Sequence, residues 1–378
     1  MRAFITAVAI VALGWAAGGQ ALLGRIDPAL VLPLLAPPML GLAWWQRGEP
    51  ATIRRNAILW TLAFVGSAQL LLALFLGGSM AWPQLLLVTV FGAVAAWLAD
   101  ALVRWRPRVR LLPWLAGLLL VAAWFGAGHV LLSILYRPAI AAAGSPAVMM
   151  LTGLPLRWSG ANGIAAMIAA GTQDDPALAR LEAAGPVTLV DSLVDRVPPP
   201  GGALLIAHPR ALAPQELVAI DAFIRGGGRA VILADALSAW PARYPLGDPR
   251  NPPITSLLTP MLDHWGVALA AAPGGEGKPL RVDVDGSRLN LFSAGRFDRL
   301  PSDCQSFADR HIARCRVGDG EAWLVGDADL LFKPAWQSVV PGAAHLRQAD
   351  TMEWLSARLW PGAGRATLQP VWIRAGAI

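Results

Sequence analysis

The sequence lacks the signatures of self-contained chemistry. It has no G-x-x-x-x-G-K-[ST], so the chain does not hydrolyse ATP through a P-loop of its own. It has no G-x-S-x-G elbow and no H-E-x-x-H. The five histidines are scattered without metal-ligand spacing, and no cysteine follows a strand as a nucleophile. No catalytic residue, metal or other cofactor is therefore expected. Nucleic-acid binding is excluded as well, although the net charge is +6 and the pI about 10.3. Residues 1–137 hold ten arginines against Asp27, Glu49 and Asp100. Residues 138–378 hold 21 basic and 22 acidic side chains, so the second half has no surplus for phosphates.

What the chain has in excess is apolar surface: 55% hydrophobic residues and a mean hydropathy of +0.50, too much for an ordinary soluble domain. The excess lies in residues 1–137, read as an α-helical transmembrane bundle embedded in a lipid bilayer. Five apolar runs, 4–23, 28–45, 57–76, 82–103 and 111–136, each come near the roughly 20 residues that cross a bilayer core. Pro33, Pro37 and Pro38 interrupt the second, which reads either as a span or as a re-entrant segment. Arg2, Arg47, Arg54, Arg55 and Arg104 to Arg110 fall on one side of such a bundle, and Arg25 and Arg137 on the other. The positive-inside rule then sets the N-terminus in the cytoplasm and everything after Arg137 outside. The first run lacks a small-residue cleavage site and reads as a retained anchor. Trp44, Trp45, Trp82 and Trp105 near run ends suit either an interfacial belt or bundle packing. His129, inside the fifth run, suits either a proton relay or a hydrogen-bonded packing residue.

After a small-residue linker at 138–146, residues 147–378 read as an extracytoplasmic α/β domain built around 203–235. Ala203–Ala207 is a short apolar strand that His208-Pro209 stops. Pro214 opens a helix with Glu216 in its first turn, and Leu217, Ile220 and Ile224, flanked by Val218 and Phe223, form its apolar stripe. Gly226–Gly228 closes the helix, and Ala230–Ala234 is a second strand, so the unit is a parallel βαβ. Strands are also expected at 147–151, 187–190 and 267–270, and helices at 176–184, 254–265 and 350–359, with a segment at 158–170 helical from Ile164. Hairpins turn at Asp285-Gly286 and at Gly318–Gly320, which gives a mainly parallel sheet with an antiparallel extension.

In open α/β sheets ligands sit beyond the carboxyl ends of the strands. His208, Asp191, Asp235, Asp327 and Asp329 lie at such ends and read in two ways. Together with Arg210 they line a crevice for a ligand or partner, or they are loop-capping residues that end strands, as Asp routinely does. Cys304 and Cys315 flank a short loop; outside the cytoplasm they either close it as a disulfide or stay as free thiols.

The stretch from Ala207 to Asp235 resembles the core of the ABC-type uncharacterised transport system domain, the GldG-like family. The residues that carry the resemblance are His208-Pro209-Arg210, Leu212, Ala219-Ile220-Asp221, Phe223, Gly226–Gly228 and Asp235, with Trp323–Val325 and Gly326-Asp327 later. The resemblance spans roughly 145–335. It implies a flavodoxin-like or class I glutamine amidotransferase-like sandwich without that enzyme's cysteine. It also implies a periplasmic domain on a bacterial inner membrane, working with a separately encoded ABC permease and ATPase. Ala236 departs from the proline common after the strand-end Asp. A membrane-anchored hydrolase using the strand-end Asp and His residues, and a structural anchor for envelope assembly, are the alternatives.

Overall fold

The computed structural model describes residues 1–109, 111–158, 171–194, 196–245, 247–248, 250–271, 277–338, 340–364 and 366–374. The segment expected to be helical from Ile164 lies outside the described residues. Two compact units result. One is helical and comprises Met1–Arg137 with Ser338–Arg347 and Ala366–Ile378; the other comprises Pro138–Gln337 with Gln348–Arg365. Two stretches from the C-terminal half of the chain are thus part of the helical unit.

Among the described residues three helices are long and apolar enough to cross a membrane, or four if the bent second run counts as one span, against five runs expected. They are α3 (Ala51–Leu72, extended by a π turn to Gly77), α4 (Trp82–Arg104) and α5 (Leu112–Leu135). The first run is not one span-length helix. It forms α1 (Arg2–Ala16), breaks at Gly18-Gly19 and makes one more turn at Gln20–Leu23. At 1.5 Å per residue, α1 is about 22 Å long, short of the roughly 30 Å hydrocarbon core. The second run bends by 62° between a 3-10 turn (Pro28–Leu34) and α2 (Ala36–Trp45), where Pro33 and Pro37 remove backbone donors. Gly128 of α5 lets the bend pack closely, since a Cβ there would sit 2.9 Å from the Pro33 Cα. Val31, Leu35, Met39, Leu62, Val65, Val88, Ala95 and Ala99 close the bundle's interior.

The α/β unit is a doubly wound sheet. Its strands are β1 (Val148–Thr152), β2 (Val187–Val190), β3 (Ala203–Ala207), β4 (Arg229–Leu233), β5 (Ala268–Ala271), β6 (Pro279–Val284), β7 (Ser287–Phe292), β8 (Gly295–Arg299), β9 (Cys304–Phe307), β10 (Ile312–Val317) and β11 (Gly320–Val325). The seven-stranded main sheet runs β9-β10-β11-β4-β3-β1-β2. Its β11-β4-β3-β1-β2 part is parallel, with β9 and β10 added antiparallel. β5 pairs with β8 and β6 with β7 in two separate ribbons.

Alternate residues of each buried strand feed opposite cores. Met150, Leu205, Val231, Leu233 and Val325 meet α6 (Pro176–Ala184), the β6–β7 ribbon and the C-terminal helix Thr351–Leu359. Leu151, Leu204, Ile206, Ile232 and Leu324 meet α7 (Pro214–Arg225) and the short α8 (Thr259–His264). The central βαβ unit lies where the local signals put it, with Glu216 capping the Ala213 N–H at 2.8 Å and Gly227 at φ +97° past the helix end. Val218 departs from the expected stripe: it is 67% exposed, and Ile220 and Ile224 carry the packing.

Candidate functional site

The parallel strands β3, β4 and β11 deliver His208, Asp235, Asp327 and Asp329 to one end of the sheet. All four are buried. His208 takes φ +46°, which turns its ring back under the loop that follows β4. Its Nε2 lies 2.6 Å from the Pro253 carbonyl, which can only accept, so Nε2 carries the proton. Its Nδ1 then accepts from Ser256 Oγ at 2.8 Å, while that Oγ accepts from the Asp235 N–H at 2.7 Å. Burial lowers the His208 pKa, the Pro253 carbonyl opposes this, and Arg210 adds to it. The ring is therefore a neutral strut tying the ends of β3 and β4 to the 236–258 loop.

The three carboxylates lie so close that one oxygen of each falls within 4.8 Å of the others. Such a donor set suits a hard cation. The oxygens, however, are aimed at N–H and O–H groups of this chain. Asp235 Oδ1 accepts from Leu237 N at 3.0 Å, and Oδ2 from Ala328 N at 3.3 Å. Asp327 accepts from Asp329 N and Phe292 N, each at 2.7 Å. Asp329 accepts from Ser238 Oγ at 2.9 Å and Ala239 N at 2.5 Å. The Asp235–Leu237 and Asp327–Asp329 bonds are Asx turns that end β4 and β11. The arrangement is an acid knot gathering the loops after two strands.

Three buried carboxylates cannot all stay ionised at this spacing. Burial raises the Asp235 pKa to about 7, helped by the nearby Asp329 charge. Burial also raises Asp327 well above the usual carboxylate range, with Asp235 and then Asp329 adding to it. Burial raises Asp329 as well, against the hydrogen bonds from Ala239 and Ser238. The knot thus holds a proton at neutral pH, shared between Asp235 and Asp327.

The other strand-end candidates do not join this group. Asp191 is exposed at the end of β2, on the sheet's edge and separated from β4 by two strands. Arg210 is exposed, with its guanidinium on the Asn251 carbonyl at 2.9 Å. Sequence reading missed Ser238 and Ser256, which hold the knot together. The expected helix at 254–265 begins only at Thr259, because the Ser256 hydroxyl and N–H are committed to His208 and Asp235. At the opposite edge of the sheet, Cys304 and Cys315 face each other in the β9–β10 register and are joined as a disulfide.

The helical unit has a polar centre of its own. Arg25 and Asp27, both without exposed surface, pair at 2.7 Å. Tyr136 donates to Asp27 Oδ2 at 2.5 Å, and Trp372 and Tyr136 flank the Arg25 guanidinium. His129 Nδ1 lies 2.8 Å from His345 Nε2, a partner 216 residues away in sequence.

No curated protein matches the chain. Among solved structures it is similar to an exo-β-1,4-mannosidase from Opitutaceae bacterium strain TAV5, at 14% identity and TM-score 0.32, covering 57% of this chain and 36% of that one. A β-galactosidase from Bacillus circulans sp. alkalophilus matches at 12% identity and TM-score 0.28, covering 50% and 26%. A cytoplasmic protein from Salmonella typhimurium matches at 10% identity and TM-score 0.30, covering 58% of this chain and 99% of that one. The chain spans about a third of the length of the mannosidase and about a quarter of that of the galactosidase. None of these scores carries an argument about activity. The model of the family described as ABC-type uncharacterized transport system matches residues 171–272, which run from before α6 through β5 and contain the βαβ unit that carried the resemblance.

Proposed function

We propose that this chain is a non-catalytic integral-membrane accessory subunit of an ABC-type transport system. In this reading the α/β unit is its partner- or ligand-binding part on the periplasmic side of a bacterial inner membrane. The observation that carries the reading is the coincidence, in one chain, of the transport-system match at 171–272 with three bilayer-length apolar helices. Orientation is supported by the last three helices alone. Arg47 precedes α3 and Arg54 and Arg55 lie in its opening turns, while Arg104 ends α4 and Arg106 and Arg108 follow it, so both clusters fall on one side and the chain after α5 on the other. The acid knot favours a non-catalytic role, because its oxygens are taken up by the chain's own donors. Energy for transport would come from a separate ATPase, since the sequence has no P-loop. Purifying the tagged chain from native membranes in a mild detergent tests this. Recovery with an ABC ATPase and a permease is expected, and repeated recovery of the chain alone would contradict it.

A further inference from the structure

Residues 340–347 form a strap on the helical unit, and its anchor is His345, a side chain with no exposed surface. α5 receives it with His129 and Ser133, which one turn of helix places on the same face. His345 Nε2 lies 2.8 Å from His129 Nδ1, and His345 Nδ1 lies 3.1 Å from Ser133 Oγ. The His345 carbonyl accepts from Arg25, and Arg347 reaches the Tyr136 and Ala344 carbonyls at 3.3 and 3.4 Å.

The charged groups here are Arg25 and Asp27 from the loop after α1 and Arg347 from the strap; His129 and Tyr136 come from α5. Asp27 already serves Arg25 and the Tyr136 hydroxyl. A proton on His345 would leave both ring hydrogen bonds intact, because Ser133 Oγ and the neutral His129 Nδ1 can each accept. It would, however, create a second cation beside Arg25, buried and, among the described residues, with no acid of its own beside it. We infer that His345, wedged against His129 and Ser133, is a proton-operated latch that holds the 340–347 strap on the helical unit while neutral and releases it on protonation.

The sign follows from linkage. Burial first, then His129 and Arg25, lower the His345 pKa from 6.5 to about 3 while the strap is docked. A group whose pKa is lowered by docking favours docking above its free value, and the docked state is lost as pH falls below about 6.5.

Hydrogen exchange of the full chain in detergent, corrected for the pH dependence of chemical exchange, reads the latch directly. Opening of the peptide over 340–347 should rise about thirtyfold between pH 8 and pH 5, the ratio expected for these two pKa values. The C-terminal strap is the control, since backbone bonds hold it (Ile26 N–H to Val371, Ile373 N–H to Gly24, Arg374 N–H to Leu76) and it should stay protected. His345→Gln, whose amide can meet both ring partners, should make the response flat. His129→Gln removes only the half-buried ring, so it should keep the strap docked at pH 8 and still loosen it at least tenfold at pH 5. If His345→Gln fails to dock, the wild type and His129→Gln decide the matter. A flat wild type, loosening of both straps together, a full response in His345→Gln or none in His129→Gln would each overturn the latch.

Discussion

Each unit buries a cluster of ionisable groups, and the two clusters survive burial by opposite means. The helical unit neutralises charge with charge: Arg25 and Asp27 pair at zero exposure, with Tyr136 completing the carboxylate's shell. The α/β unit brings together three groups of one sign, and these survive by holding protons and by drawing on backbone N–H groups and the Ser238 hydroxyl. Residue type alone therefore says little about a buried acid. Asp27 has a cation beside it; Asp327 is pushed above the usual carboxylate range by burial first, and then by the neighbouring acids Asp235 and Asp329.

The sharpest way to break this contrast is Asp27→Ala, which strands Arg25 as a buried, uncompensated cation. A loss of about 3–5 kcal/mol is expected for removing one partner of a buried pair. Chemical unfolding in detergent, followed on the helical unit, measures it; a loss below about 1 kcal/mol would mean the pair is not the centre it looks to be.

A smaller effect should be confined to the other unit. Cys304→Ser with Cys315→Ser opens a loop closed by the disulfide, at a cost of about 3 kcal/mol in the loop-entropy account. The α/β transition should fall and the helical one should not move; a shift of both would undo the separation drawn here.

A third effect, in the α/β unit, has the most specific sign. Asp235 carries a folded pKa of about 7 against 3.8 when free, so the folded knot binds a proton that the unfolded chain releases above pH 4. Stability of the α/β unit should therefore decline as pH rises from about 4 to about 7. Asp235→Asn places an N–H where the proton sits. It should flatten that slope, match the wild type near pH 4 to within about 1 kcal/mol and be the more stable of the two at pH 8. A slope of the opposite sign would show that the knot is ionised.

The central βαβ unit was legible because its signals are local: an apolar run, a proline at the first turn, three glycines, a second apolar run. Its strand ends were legible too, and His208, Asp235, Asp327 and Asp329 do converge. What they converge for was not legible, because the deciding partners are backbone N–H groups and two loop serines, Ser238 and Ser256, which no spacing marks. The helix expected from Ile254 failed for the same reason. Hydropathy located the apolar segments but could not show that the first breaks at Gly18-Gly19 or that the second bends by 62°. Nor could any window along the chain join His129 to a histidine 216 residues on.

The central claim is that this chain carries a binding domain outside the cytoplasm for a transport assembly, and its two cysteines test that most directly. In intact cells, a membrane-permeant maleimide applied before lysis should add nothing to the chain, and after reduction under denaturing conditions it should add two adducts, one each on Cys304 and Cys315. Two adducts without reduction would place both thiols in a reducing compartment and contradict the account.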